Sequence, residues 1–461
     1  MDLFQHWLDF HNVRRTLIVK PYAQDDGYCL VASKALTPGE TTIEIPELLL
    51  MSSISAKNSP SFAKVYRVLC PKSDPDLEAN TTSIIDLDGL YDSISQEVLI
   101  LSLFLLHERS KLESSLWHPY ITLLPRTFTT PLFFTPQELT LLEPTPLHSL
   151  VLTMLETLQV LHTRIVLPLL QTFPTLLNPS SATPAALLWA YTAIESRAFK
   201  LNLIGADPLV LNTTLVPLAD LANHVPSARD ATLRIERFDP HTRMLRIVCA
   251  ETAPAAGREL HLCYNDLANW QLLLYYGFTI LQNPFDRVNL SFGPPDDDDG
   301  EVKKLMLLAL GEELGFGLEH SVQASWVEGA DQVVGAGLVG SLRLLLMDEE
   351  DLSRYSVENL ETLLRESASE RNEQAVLETL RGLFEGMREQ YPTTLGEDQK
   401  RVEAVVGEGL SRGEYYTLLY LVGQKEIIDN ALEWVEAREE CQVSGNTLDG
   451  GSQSPSVPGN V

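Results

Sequence analysis

Residues 259–278 read ELHLCYNDLANWQLLLYYGF, and this stretch decides how the rest of the chain is understood. ELHLCY alternates apolar and polar side chains and follows a Pro254-Ala-Ala-Gly257 turn, so a strand is predicted from Glu259 to Tyr264. Two tyrosines stand out: Tyr264 ends that strand and Tyr276 precedes Gly277-Phe278. Taken singly, each reads as a packed aromatic whose hydroxyl finds a hydrogen-bond partner.

Moving towards the N-terminus, Leu233 and Ile235 alternate with charged residues, as do Leu245, Ile247 and Cys249. Asp239-Pro240-His241-Thr242 lies between them, so a hairpin is predicted. Just before it, VPLADLANH crowds Asp220, Asn223 and His224 into a turn after an apolar run. Such a turn either holds a ligand or satisfies its own backbone. His224 has no cysteine or second histidine at ligand spacing, so no metal site is expected, and a lone histidine reads as structural. Residues 93–200 carry helical periodicity: Ser93 and Gln96 have capping-box spacing ahead of an apolar helix reaching Leu106. Leu150, Met154, Leu158, Leu161 and Ile165 mark a second helix, and a third runs from about Ala185 to Ser196. Arg197, at its end, complements the helix dipole. Residues 14–50 return to short strands, with turns at DDG and TPGE. The pattern is a β-rich unit interrupted by a helical insertion over about 60–195.

Downstream, Phe292-Gly-Pro-Pro-Asp-Asp-Asp-Asp-Gly300 breaks regular structure and sets four like charges side by side, which predicts an exposed linker at 294–300 after a first domain of 1–293. Beyond it the chain reads as all-α over 301–443. Val376, Leu380, Leu383, Phe384, Met387 and Tyr391 form one stripe that must stop before Pro392. Thr394 with Glu397, and Ser411 with Glu414, have capping-box spacing. The tail 444–461 is rich in Gly, Ser and Pro and reads as disordered.

Composition narrows the function classes. At 461 residues and 44% hydrophobic, the chain fills sizeable cores. Its uninterrupted apolar stretches are too short for a membrane span, and the mixed N-terminus is unlike a signal peptide. Five scattered cysteines without a CxxC pair fit a reducing compartment, so cytoplasm or nucleus is expected. With 34 basic and 63 acidic side chains the net charge is −29, and residues 301–461 hold 13 basic and 30 acidic of them. Nucleic acid would be repelled, whereas a basic protein segment would be steered in. Phosphate loops, GxSxG, HExxH and a helix-opening GxGxxG are all absent.

Five segments in order settle the reading: DGYCLVASKALTPGETTIEIPELLLMS, HERSKLESSLWHPYITLLPRTFTTPLFF, SRAF, VPLADLANH and ELHLCYNDLANWQLLLYYGF. Together they resemble SET-domain methyltransferases, specifically the branch typified by the Rubisco large-subunit lysine methyltransferase. NEQAVLETLRGLFEGMREQYPTTLGEDQK and LSRGEYYTLLYLVGQKEI resemble that branch's helical substrate-binding lobe. The resemblance spans about residues 10 to 440. It implies an α+β fold: a β-rich SET domain split by a helical insertion, then an all-α domain. It also implies a protein-lysine N-methyltransferase that uses S-adenosyl-L-methionine on a non-histone, basic protein substrate, working as a monomer away from membranes. By the same analogy Asp26, Gly27, Tyr28, Arg197, Asn223 and His224 contact the cofactor, and Asn223-His224 is tucked through a loop near YGF. Asp220 and Leu221 line the substrate side, Tyr264 is catalytic and also reaches the cofactor, and Tyr276 stands at the mouth of the lysine channel.

Some positions depart from that pattern. The first turn reads DGYCL where relatives commonly have EGLGL, so Cys29 replaces a glycine that approaches the cofactor. GQK near the C-terminus stands for the more usual GEK, and the cysteine-rich post-SET motif is absent, as in this branch generally. Leu262, where many SET enzymes have Phe or Tyr, leaves room for more than one methyl group. Two alternatives follow from the resemblance. Related SET proteins modify an actin histidine but lose the YGF tyrosine, so Tyr276 favours lysine. A catalytically silent cofactor-binding or interaction protein draws its support from Cys29.

Overall fold

The computed structural model describes residues 1–22, 27–70, 94–203, 211–236, 238–293, 299–310, 314–323, 333–404 and 409–444. Asp26, Ser93, most of the 294–300 linker and the tail from 445 lie outside them. The chain forms two compact units, Met1–Thr279 with Ser411–Thr417, and Ile280–Leu410 with the residues from Leu418 onward.

The first unit begins with strands β1 (Arg14–Arg15), β2 (Leu17–Pro21), β3 (Tyr28–Ala32), β4 (Thr41–Pro46) and β5 (Met51–Ser52). A helical insertion follows, and then β6 (Ala198–Leu201), β7 (Asn212–Leu215), β8 (Asn223–His224), β9 (Leu233–Ile235), β10 (Met244–Cys249) and β11 (Glu259–Leu262). These make three small sheets, ordered β1-β4-β10-β9, β2-β3-β11-β8 and β5-β7-β6. Antiparallel pairing sets Leu245 opposite Ile45 and Ile247 opposite Ile43, four side chains with no exposed surface, so this pair anchors the core. The expected hairpin turn is held by Asp239, whose Oδ1 accepts from the amides of His241 (2.9 Å) and Thr242 (3.3 Å).

Within the insertion, the Gln96–Ser110 helix is buried continuously from Val98 to Glu108, which explains why its apolar residues show no single face. Its cap is Ser95, which accepts from the Val98 amide. The Pro184–Arg197 helix packs against it, is capped by Thr183, and passes directly into β6. One helical run, Pro146–Thr172, is long and apolar enough by length and composition to cross a membrane, with a mean hydropathy of 1.4. Scattered polar residues hide that in a search for uninterrupted apolar stretches. One face of the run, Leu147, Val151, Met154, Leu158 and Leu161, is buried in the unit. Ahead of Pro168 it widens into a π-turn at His162–Val166, which accommodates a residue that lacks a helical N–H.

The second unit is mostly helical. Its core gathers Val376, Leu380 and Phe384 of the Glu370–Glu389 helix with Ile427, Ala431 and Val435 of the Arg412–Ser444 helix. The two expected capping boxes are present: Thr394 Oγ1 accepts from the Glu397 amide, and Ser411 Oγ from that of Glu414. Lys425 of GQK is buried against Asp398 and donates to the Thr393 carbonyl at 2.8 Å, so the charge is paired and hydrogen-bonded. The unit also contains a two-stranded ribbon, β12 (Arg287–Ser291) against β13 (Glu319–Gln323), where the sequence pattern predicts helix alone. β13 reads EHSVQ, with one apolar side chain, too little alternation to announce a strand. This pairing moves the division between units to Thr279/Ile280, ahead of the expected linker.

Gly277 ends the helical turn that carries Tyr276. Its φ is +78°, and a Cβ there would come within 2.9 Å of the Thr129 carbonyl carbon and the Thr130 nitrogen. Gly382 and Gly386 sit in open helix positions, where an added Cβ meets nothing within 4 Å. Gly277→Ala therefore lowers the melting temperature by about 3 °C, through backbone clash and left-handed strain of about 2 kcal/mol. Gly382→Ala, by contrast, leaves the melting temperature unchanged or raises it, since alanine gains up to about 1 kcal/mol over glycine in a helix. Differential scanning calorimetry of the two variants checks both signs.

Candidate active site

The site is built from the chain segment that leaves β7. Leu218 adopts φ +79° and ψ −47°, a conformation costly for a side chain with a Cβ, and the turn it makes delivers Asp220 inward. The Asp220 carboxylate is buried and bound from two sides. Tyr120 donates its hydroxyl to Oδ2 at 2.8 Å, and Arg197 Nη1 reaches the same oxygen at 3.3 Å and the Asp220 carbonyl at 3.0 Å. Burial raises the carboxyl above its ordinary range, while Arg197 and Tyr120 oppose that rise. Among the described residues, Arg197 Nε and Asp220 Oδ1 are buried without a partner. Both residues line a cleft of about 880 Å³. The two atoms are enclosed, so each is a buried polar group left unsatisfied within the clamp on the turn.

Two residues on, β8 runs parallel to β11, with Asn223 opposite His261 and His224 opposite Leu262. This pairing sets the tyrosine. The Tyr264 amide donates to His224 Nδ1 at 3.1 Å, and the Tyr264 hydroxyl donates to the Ala222 carbonyl at 2.8 Å. On one side the ring lies against His224, with centroids 4.8 Å apart, and on the other it stacks on Tyr276 at 5.0 Å and 29°. Phe278 also approaches His224, at 6.2 Å. Burial pushes the His224 imidazole down to about 4, so the ring is neutral at pH 7 and Nδ1 is free to accept. Burial likewise pushes Tyr276 up to about 12 and Tyr264 higher still, so both phenols keep their protons.

Tyr276 reaches this position through a π-turn at Leu272–Tyr276, closed by the Gly277 amide onto the Leu272 carbonyl at 2.9 Å. The extra residue in that turn is the kind of helix defect that recurs at functional sites.

The structure thus brings Arg197, Asp220, Leu262, Tyr264 and Tyr276 to one cleft. Leu221 is buried beside Asp220 without lining it, and Asn223 and His224 stand behind Tyr264. Asn223 Nδ2 donates to Glu259 Oε1 at 2.7 Å, and Glu259 pairs with Val31 in β3, so the Asn-His segment is tied to the strand that leaves the first turn. Gly27 and Tyr28 fall outside the cleft lining. A Cβ on Gly27 would meet nothing within 4 Å, which leaves its backbone approachable. Cys29 is buried in regular β3 backbone opposite Lys20, so its side chain brings no strain where relatives have glycine. Three residues that sequence reading did not single out contribute: Tyr120, Glu259 and Glu195, the last in the cleft wall. Tyr120 and Glu259 lay within segments that carried the resemblance, and Glu195 did not. Among the described residues, no three His, Cys, Asp or Glu side chains gather closely enough to hold a metal ion.

The chain resembles known proteins over most of its length. Residues 296–428 match the family described as Rubisco LSMT substrate-binding. The chain is 24% identical over 432 residues to actin-histidine N-methyltransferase of Gallus gallus, covering 90% of this chain and 65% of that protein. It is 26% identical over 415 residues to the chloroplastic fructose-bisphosphate aldolase-lysine N-methyltransferase of Arabidopsis thaliana, covering 87% and 76%. SET domain-containing protein 4 of Mus musculus is 26% identical over 297 residues, covering 62% and 60%. The chain therefore spans about two thirds of the length of the actin-histidine methyltransferases it matches, 65% for the chicken protein. Among solved structures, the SET domain of LSMT bound to lysine and AdoHcy superposes with a TM-score of 0.73 at 21% identity, covering 95% of this chain and 91% of that one. Rubisco LSMT bound to AdoMet gives 0.72 at 20%, covering 95% and 92%. The chain thus shares the fold of these Rubisco LSMT structures, and its residues 296–428 match the Rubisco LSMT substrate-binding domain.

Proposed function

We propose that this protein is an S-adenosylmethionine-dependent protein-lysine N-methyltransferase acting on a non-histone substrate. The observation that carries the reading is the Tyr264 hydroxyl, held on the Ala222 carbonyl, its ring stacked between His224 and Tyr276 beside a cleft lined by Arg197 and Asp220. The Arg197 guanidinium in the cleft wall suits the carboxylate of an amino-acid moiety. Asn223 and His224 support that cleft from behind Tyr264. When bound, S-adenosylmethionine supplies an electrophilic methyl group on a sulfonium.

What remains for the chain is alignment and desolvation. An attacking amine must be neutral, and from a lysine pKa near 10.4 that costs about 4.6 kcal/mol at pH 7. Aromatic walls disfavour the ammonium and reduce that cost. Tyr264 Oη donates its proton to Ala222, so its lone pairs are turned towards an incoming amine N–H and fix the direction of the nitrogen lone pair. Tyr276, a protonated phenol stacked on Tyr264, supports lysine over histidine by narrowing the approach to an extended side chain. Relatives named for histidine and for lysine methylation both align with the chain, so the target residue itself is the decisive readout.

Radiolabelled S-adenosylmethionine incubated with the full chain and a methylation-poor extract of its source cells is expected to label lysine on a discrete protein, mapped by mass spectrometry. Labelled histidine overturns the lysine assignment, and binding of S-adenosylmethionine by calorimetry without any label favours a silent binder. Tyr264→Phe lowers kcat roughly 100-fold, the scale of losing one positioned hydrogen-bonding group, with cofactor affinity within about twofold of wild type. Unchanged turnover removes Tyr264 from the chemistry.

His224 gives a separate check on the frame. Its folded-state pKa of about 4 lies below the ordinary 6.5, so the unfolded chain binds more protons between those values. The stability it contributes is complete above pH 6.5 and is lost as pH falls towards 4. In urea titrations across that window His224→Gln shows a flatter pH dependence than wild type, and parallel curves exclude the buried neutral ring.

A further inference from the structure

We propose that Glu195 is a specificity-determining residue that receives a second cationic side chain, Lys or Arg, flanking the target residue of the substrate segment. This rests on the methyltransferase reading above. Glu195 lies in the last turn of the Pro184–Arg197 helix and lines the cleft together with Arg197 and Tyr276. Among the described residues it makes no hydrogen bond and no ion pair within 4 Å. Two neighbouring charges have partners: Arg197 holds Asp220, and Lys200 donates to Thr213 Oγ1 at 2.6 Å and reaches Glu97 at 3.8 Å. Arg234 and Glu236 line the far wall on and just beyond β9.

An unpaired carboxylate in a helix's last turn is unfavourable twice over, by burial and by the negative end of the dipole. Burial indeed holds its carboxyl above the ordinary carboxylate range, with Lys200 opposing, and its charge raises the phenols of Tyr191, Tyr275 and Tyr276. A carboxylate beside aromatic rings is the composition of a cation site. The cation it receives is distinct from the target amine for two reasons. Helix positions two apart point roughly 200° from one another, so Glu195 and Arg197 address different parts of the cleft. A carboxylate against the target ammonium would also stabilise the charged, unreactive form.

The test uses the full chain and the extract labelling described above, followed by kinetics on the labelled protein. Labelled sites are expected to carry Lys or Arg within about three residues of the target. Glu195→Gln then raises KM roughly tenfold with kcat within about twofold, and Glu195→Asp recovers most of the loss. Replacing the flanking basic residue by alanine raises KM for the wild type but adds little in Glu195→Gln, because each change removes the same contact. Labelled sites without a basic neighbour, or an unchanged KM in Glu195→Gln, overturn the proposal while leaving the methyltransferase reading intact. Absence of any label overturns both.

Discussion

Everything at the candidate site depends on two residues of parallel pairing. β8 contains Asn223 and His224 and nothing more, yet its register with His261 and Leu262 decides where Tyr264 points. A slip of one residue would turn the side chains of β8 to the opposite face. Tyr264 would lose both the His224 ring nitrogen at its amide and the Ala222 carbonyl at its hydroxyl. A strand this short cannot hold its register through ladder bonds alone. Side chains hold it: Asn223 reaches across to Glu259, and the His224 ring is wedged between Tyr264 and Phe278.

The turn that feeds this strand is fixed by a different force. Asp220 is a buried carboxylate, tolerable only because Arg197 and Tyr120 bind it from separate elements. Those elements are the end of the Pro184–Arg197 helix and the short His118–Ile121 helix, both in the insertion that splits the sheets. The insertion therefore supplies the charge and the hydroxyl that hold the active-site turn against its strained Leu218. Removing Tyr120 or Arg197 would leave a buried group unpaired, and the strain would have nothing to offset it.

Much of this was legible in the sequence, and the reasons differ by element. Alternation revealed β9, β10 and β11, since each has one buried and one more exposed face over several residues. Capping boxes located helix starts at Thr394 and Ser411 because the cap is a local interaction between residues three apart. The ordered segments brought Arg197, Asp220, Tyr264 and Tyr276 forward together, and the cleft gathers them. What escaped was non-local. Glu259 matters through a contact 36 residues away in sequence, and Tyr120 through one 100 residues away, and no spacing rule reports such pairs. β13 escaped because its partner strand, and not its own composition, makes it a strand. Cys29 is the opposite case: the sequence marked it as a disturbance, yet regular β3 backbone accepts it without strain.

On the lysine reading proposed above, the proton of the incoming amine sets the remaining constraint on mechanism. Tyr264 and Tyr276 are held as protonated phenols by burial, so neither offers a phenolate to take it. His224 is a neutral ring, but its Nδ1 already accepts from the Tyr264 amide, so using that lone pair would break the bond that positions the tyrosine. Asp220 is committed through Oδ2 to Arg197 and Tyr120, and protonating it would release the clamp on its own turn. His224, Asp220 and the two phenols are thus spent on geometry. Deprotonation is left to desolvation at the cleft wall, with solvent as the proton's destination. On that reading the site gains rate by excluding water from the amine and by holding its lone pair in line, and it keeps its geometry by leaving the protonation of the groups that define it unchanged.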